Sequence, residues 1–380
     1  MRTFLGIGAG PIQTGIFVSG AVDAGFDRIV LADVDAELVG AVRESACITV
    51  NTAGKNDISS RTFRNIEIYN PQDTFDLSRL SELASEAQVL ATALPSTAFY
   101  RYLDWIREGF SKKPGQRRYF YAAENSTTAA AELQDAIGAF PETFYLDTVI
   151  GKMSKVFTSN EIDLPVLSPG LTRGHLVEEF NIIYSSSALG LEDVAPTGLY
   201  SKNDLKPFET AKLYGHNAVH FLLASLAAEK GCRYISEASA YPELLKSAFL
   251  ALRDECGEAL CRKFAGMDDF FIRKNFSVYS SELIERMVSP VLNDSIERII
   301  RNPERKFSWN DRIIGAIRLC LEQGVCPSEL SKIQLPDGTD ETWKKESNYN
   351  DLEASAVMSV LKAGCFNPDS ACCNQLQDAL

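Results

Sequence analysis

A chain of 380 residues with 45% hydrophobic and 23% charged residues is long enough for two cores and has the composition of a soluble globular protein. Its formal net charge of −13 argues against nucleic acid as a main partner, because phosphate binding needs a basic face. Three histidines and nine cysteines without a C-x-x-C pair offer no zinc set, and adjacent Cys372-Cys373 lack ligand spacing; with neither a signal-like leader nor an apolar span, reduced thiols in a cytoplasmic protein are expected.

From the N-terminus, apolar runs alternate with helical patterns. Strands are predicted at 3–7, 28–32, 66–69, 89–93, 119–122 and 143–149, with helices between them, notably after Pro11, at 78–87 and at 97–108. Six strands with crossovers imply an α/β, Rossmann-type, doubly wound parallel sheet. Lys112-Lys113 and Arg117-Arg118 flank Pro114-Gly115 and read as a solvated turn before a strand. Strand-like pieces at 156–158 and 179–184 add a small sheet. Beyond residue 205 a 3.6-residue period predicts helices at 205–228, 238–264, 270–287, 295–300, 309–323 and 352–363, with the polar segment 335–349 an exposed loop. Residues 1–190 are therefore expected to form a nucleotide-binding domain with a sheet extension, and 191–380 a mainly α-helical domain for substrate and catalysis.

The first strand runs into Gly6-Ile7-Gly8-Ala9-Gly10-Pro11-Ile12-Gln13-Thr14-Gly15, which opens a helix. Glycines in that position let backbone approach a pyrophosphate, whose charge meets the free N–H groups of the helix start, so Gly8, Gly10, Pro11 and Ile12 are expected at the cofactor. The strict G-x-G-x-x-G pattern fails at Gln13, where a third glycine normally allows close helix–strand packing. Asp33 ends the second strand, where a carboxylate takes both ribose hydroxyls of NAD and repels the 2′-phosphate of NADP.

Three blocks lie further along. Glu124-Asn125 follows the fifth predicted strand. Lys212, Asn217 and His220 stand at i, i+5 and i+8 on a predicted helix, with Asn217 and His220 at about 140° and about 80° from Lys212, one broad face. The third block runs from Arg286 through Pro290, Leu292, Asp294, Glu297 and Arg298 to Arg301, Pro303, Arg305 and Lys306. With its K-x4-N-x2-H, E-N, R-x3-P-x-L-x-D-x2-E-R and R-x-P-x-R-K blocks in this order, the sequence resembles the polyol-specific long-chain dehydrogenases, the mannitol dehydrogenase family. In size and layout it is nearest to the mannitol-1-phosphate 5-dehydrogenase branch, and the likeness covers residues 1 to about 330.

The resemblance implies metal-independent hydride transfer between NAD and a secondary alcohol, with Lys212 as general base. It implies that Asn125 and Asn217 stabilise the developing alkoxide, that His220 holds the substrate hydroxyl or orients the lysine, that Arg298 and Lys306 contact substrate oxygens and that Glu124 sits at the cofactor. His216 matches nothing in the motif, and His175 reads as structural. One departure stands out: the family's V-D-R-I after the sixth strand is Val149-Ile150-Gly151-Lys152 here, which removes an acidic group that binds a polyol hydroxyl and points away from plain mannitol. Two alternatives stay open: a uronate or aldonate oxidoreductase, whose carboxylate Arg298 and Lys306 would grip, and a non-catalytic NAD-binding regulator.

Overall fold

A computed structural model describes residues 1–363 apart from Asn56 and Ser347, so Cys372 and Cys373 lie outside the described residues. The chain divides into two units, Met1–Leu205 and Lys206–Leu380. The first unit contains β1 (Thr3–Ile7), β2 (Arg28–Ala32), β3 (Cys47–Ala53), β4 (Ile58–Arg64), β5 (Ile66–Tyr69), β6 (Val89–Thr92), β7 (Arg118–Ala122), β8 (Thr143–Val149), β9 (Ser154–Thr158), β10 (Arg173–Glu178), β11 (Ile183–Ser186) and β12 (Leu199–Lys202). β12 pairs with β11, so residues up to Leu205 go with the sheet of this unit.

The main sheet runs β12-β11-β8-β7-β6-β1-β2-β5. Its six predicted strands are parallel neighbours in the doubly wound order, and β11 joins antiparallel to β8. Parallel strands buried on both faces read as continuous apolar runs, as Thr-Phe-Leu-Gly-Ile of β1 and Val-Leu-Ala-Thr of β6 do. Alternation sends Phe4 and Leu31 to one face, with Phe17 and Val42, while Leu5 and Val30 meet Leu80, Trp105 and Phe110 on the other.

A second sheet, β4-β3-β10-β9, was legible only in part. β4 exposes most of its residues and is polar, so it carries no apolar alternation to read. β10 lies parallel to β3 and antiparallel to β9.

The second unit is helical, as expected. One helical run covers 206–229: Lys206–Thr210, a π-helical stretch Ala211–Asn217, then Ala218–Glu229. Another covers 242–263, again with a π-helical stretch, Ala251–Gly257. Helices Arg273–Met287, Ile296–Ile300, Pro303–Lys306, Arg312–Glu322, Thr339–Trp343 and Asp351–Ala363 complete the described part.

Two local expectations need correction. Arg118 is not a solvated turn residue: it is fully buried, its guanidinium 4.4 Å from the Phe110 ring centroid and donating 2.9 Å to the Ser85 carbonyl. The segment 335–349 is not simply an exposed loop, because it carries the helix Thr339–Trp343 and buries Trp343. The Trp343 ring lies 5.4 Å from that of Trp309, and its indole N–H donates 2.8 Å to the Phe307 carbonyl. One large aromatic outweighs a polar flank, since burying it removes far more apolar surface than any neighbour. Trp343→Ala should lower the unfolding free energy of the helical unit by about 3–5 kcal/mol. Urea unfolding followed by tryptophan fluorescence would show this as a lower midpoint, and an unchanged midpoint would contradict the packing described.

Candidate active site

In the first unit the loop between β1 and its helix has the geometry of a phosphate cradle. Gly8 has φ +82°, a conformation that favours glycine, and a Cβ there would stand 2.8 Å from the Ala93 carbonyl oxygen. At Gly10 a Cβ would meet nothing within 4 Å, so the backbone faces open space. Pro11 and Ile12 are half-buried at the start of a helix that opens with a π-helical stretch, Gln13–Val18. Asp33 reaches back to this loop. One carboxylate oxygen accepts the Ala9 N–H at 2.7 Å and the other accepts the Asp35 N–H at 2.9 Å.

Gln13 is accommodated by a different glycine. Its buried amide lies over Gly6, where a Cβ would stand 1.9 Å from Nε2, and close helix packing is carried by Gly15, whose Cβ would be 2.6 Å from Val177 of β10. Neither Gln13 amide atom has a hydrogen-bond partner among the described residues. The next residue, Thr14, ties the loop to β10: its hydroxyl is 2.9 Å from Nδ1 of His175 and 3.2 Å from the Gly10 carbonyl. Burial, then the charge of Arg173, push His175 down to about 4, so it is neutral.

Glu124 is buried at the end of β7. It accepts from the Thr92 hydroxyl and the Leu94 N–H, each at 2.8 Å, and from the Tyr100 hydroxyl. Its carboxylate thus fixes the loop after β6 from inside. Asn125 beside it is exposed. Past β8, Gly151 is half-buried and Lys152 buried, with Nζ donating 3.2 Å to Asn181 Oδ1. Asp147 accepts the Ala130 N–H at 2.8 Å, and burial raises its pKa.

The second unit gathers a distinct cluster around the helical run 206–229. The π-helical stretch Ala211–Asn217 changes the geometry expected of an α-helix. An i→i+5 turn sets residues five apart one above the other, so Lys212 and Asn217 lie closer in azimuth than on an α-helix. Both are half-buried. Burial first, then the Arg312 guanidinium, lower Lys212 to about 8, with Glu209 opposing. His220 is lowered to about 4 by burial, with Asp294 opposing and Arg298, Arg312 and Lys306 adding to the drop. Its Nε2 is buried without a hydrogen-bond partner among the described residues and lies 4.0 Å from Asp294.

Asp294 is held by the loop around it. Asn293 adopts φ +45° and accepts from the Ser236 hydroxyl at 2.8 Å, while the Ile235 N–H donates 3.0 Å to the Asp294 carbonyl. Arg298, exposed, grips the Asp294 carboxylate with two nitrogens, Nε at 2.6 Å. Lys306 is buried, donates to the Ile299 carbonyl and stands 5.4 Å from the Phe221 ring centroid. Burial, then Arg312, Arg305 and Arg301, lower it to about 8.

The cluster thus joins Lys212, His220, Arg298 and Lys306, all expected from the motif, to Asp294, Arg312 and His216. Asp294 stands in the third block and Arg312 lies six residues beyond its end, but their roles depend on long-range packing. Arg312 is anchored by its neighbour Asp311 at 2.9 Å and acts electrostatically on Lys212, His216, His220 and Lys306. His216, buried 6.2 Å ring to ring from His220, is pushed well below its ordinary value by burial and surrounding cations. Among the described residues no group of three or more His, Cys, Asp or Glu is placed to hold a metal ion, and no helix is long and apolar enough to cross a membrane.

This cluster falls inside a match, over residues 204–334, to the mannitol dehydrogenase C-terminal domain. Along most of the chain the sequence is similar to mannitol-1-phosphate 5-dehydrogenases. That of Halalkalibacterium halodurans is 27% identical over 330 residues, 85% of this chain and 84% of its own. That of Exiguobacterium sibiricum is 26% identical over 322 residues, 84% and 80%. Residues 204–334 thus carry a mannitol dehydrogenase C-terminal domain, and the relatives matched along most of the chain support the same family. The fold of the chain is that of the Pseudomonas fluorescens mannitol 2-dehydrogenase solved with NAD and D-mannitol, at TM-score 0.62 and 12% identity over 100% of this chain and 92% of the other. A substrate-free D-sorbitol dehydrogenase matches at TM-score 0.69 and 12% identity, over 99% and 91%.

The lowered pKa of Lys212 has a consequence for stability. The unfolded lysine keeps its proton to about its ordinary 10.5, the folded one only to about 8. Folding therefore carries the full cost of the buried ammonium below pH 8, and that cost fades as pH rises from 8 towards 10.5. Lys212→Met should melt above the native protein at pH 7, with the gap narrowing across that window. A variant that melts lower at every pH would contradict the assignment.

Proposed function

We propose that this chain is an NAD-dependent dehydrogenase that interconverts a secondary alcohol and a ketone on a polyol phosphate, without a metal. The observation that carries the reading is Lys212, half-buried and lowered to about 8 on the helical run that also bears Asn217 and His220. A lysine at its ordinary value is a poor base near neutrality, whereas one near 8 takes or gives a proton readily.

The residues of the first unit fit the cofactor. Gly10 leaves open space for a pyrophosphate at a helix start, and Asp33 presents a carboxylate, already oriented by two backbone N–H groups, to ribose hydroxyls. NAD supplies the acceptor for a hydride leaving the alcohol carbon. The chain supplies the rest. Lys212 Nζ takes the hydroxyl proton during oxidation and returns it during reduction. Asn217 and Asn125 donate to the oxygen as its charge develops, and neutral His220, its Nε2 uncommitted, holds the same hydroxyl. Glu124 acts on the cofactor side by fixing the loop after β6 through Thr92, Leu94 and Tyr100 rather than by offering a free carboxylate.

The phosphate follows from charge. Arg298, Lys306 and Arg312 surround His220 with cations in a chain whose net charge is −13, although Arg298 is paired with Asp294 and Arg312 with Asp311. Relatives named for mannitol 1-phosphate support the same choice. Gly151, standing where the family has an acidic group for a polyol hydroxyl, disfavours unphosphorylated mannitol.

The test is NADH oxidation with a panel of free ketoses, ketose phosphates and keto-acids. A ketohexose phosphate should lead free fructose clearly; preference for a keto-acid would instead indicate a uronate or aldonate oxidoreductase, and no turnover with any of them a non-catalytic binder. Lys212→Ala should lose about 10²–10⁴ in turnover while still binding NADH. Since oxidation needs the neutral amine, the native oxidation rate should rise with pH through about 8 and the reduction rate fall there. Persistence of that limb in Lys212→Ala would remove the lysine from the chemistry.

A further inference from the structure

The end of β2 carries a second acidic residue whose partner comes from far along the chain. Asp35 Oδ1 caps the helix Ala36–Ser45, accepting the Glu37 and Leu38 N–H groups at 3.0 Å each. Its other oxygen, Oδ2, accepts from Arg173 Nη2 at 2.6 Å. Arg173 opens β10, and alternate residues of that strand meet the start of the nucleotide fold: Arg173 at Asp35 just beyond β2, His175 at Thr14 and Val177 against Gly15. The ion pair is not sealed in the core. Both side chains keep about a third of their surface exposed, 32% for Arg173 and 33% for Asp35.

This pair adjoins Asp33 directly, since the Asp35 N–H donates to the Asp33 carboxylate at 2.9 Å. If Asp33 takes the adenosine ribose, a 2′-phosphate would project towards the residues just beyond it. An arginine there is the usual partner for such a phosphate, and none follows Asp33 directly, where Val34 and Asp35 stand; the fold brings one in from β10. We propose that Asp35 is a second coenzyme-selectivity residue: by holding and neutralising Arg173, it denies a 2′-phosphate a cation that would otherwise be free to receive it. Asp33 excludes the phosphate by repulsion and Asp35 by sequestration. Leu38, and then Arg173, also hold the Asp35 carboxyl below the usual range, so the pair stays ionised at neutral pH.

The inference rests on the dinucleotide reading, and the test separates the two. Dissociation constants of the full chain for NADH and NADPH, and for adenosine 2′,5′-bisphosphate against ADP, are measured by calorimetry. The native protein should favour NADH and ADP. Asp33→Asn should narrow the difference. Adding Asp35→Asn, which keeps the helix cap but releases Arg173, should tighten NADPH and the bisphosphate by a further tenfold or more, roughly one charge-assisted contact. Arg173→Gln in that double variant should erase the added gain. Asp35→Ser, also a helix cap, replaces Asp35→Asn if the latter does not fold. Native binding of NADH with no gain from releasing Arg173, or a gain that survives Arg173→Gln, overturns this inference alone. A native protein that binds neither dinucleotide overturns the dehydrogenase reading and this inference with it.

Discussion

The chemistry assigned to this chain depends on one energetic constraint: an amine on the helical run 206–229 is held where its charged form is disfavoured. Burial does most of this and the Arg312 guanidinium adds to it. Taking an ammonium out of water is costly, and a second cation nearby raises the cost, so the lysine sheds its proton near 8 rather than 10.5. The same surroundings keep His220 and His216 neutral and lower Lys306. A cluster rich in cations thus holds its two histidines neutral, while Arg298 at its exposed edge is paired with Asp294. That division suits a substrate with a neutral hydroxyl to be oxidised and an anionic group to be gripped.

Backbone geometry serves the same end. Two of the π-helical stretches coincide with the segments that carry the proposed chemistry, Gln13–Val18 behind the glycine loop and Ala211–Asn217 through Lys212. Wider turns are less favourable than α-helical ones and persist where local packing or function requires them. In the first case a buried glutamine over Gly6 replaces the usual glycine; in the second, Lys212 and Asn217 come into one column.

The parallel strands and the long helices were legible because their signals are local. β1, β2 and β6 are uninterrupted apolar runs, and the helices of the second unit repeat every 3.6 residues. β3 and β4 were not read, since β4 turns polar residues outward on most of its length. The candidate site shows the same split. Lys212, Asn217 and His220 were singled out by the motif of the family the sequence resembles, although an α-helical period misplaces Asn217 by assuming ordinary turns. What joins Arg173 to Asp35, 138 positions apart, or Arg312 to Lys212, is tertiary and leaves no periodic trace. Glu124 illustrates a residue whose position was read correctly while its contacts were not: its carboxylate is spent inside the loop it stabilises.

The central claim is that Lys212 sheds its proton near 8 because of where it sits. Proteins carrying ε-¹³C lysine allow its titration to be followed directly by NMR, with Lys212→Arg assigning the resonance. The account predicts a midpoint near 8 in the native protein, rising when Arg312→Gln removes the neighbouring charge. A midpoint near the ordinary 10.5, indifferent to Arg312, would contradict it.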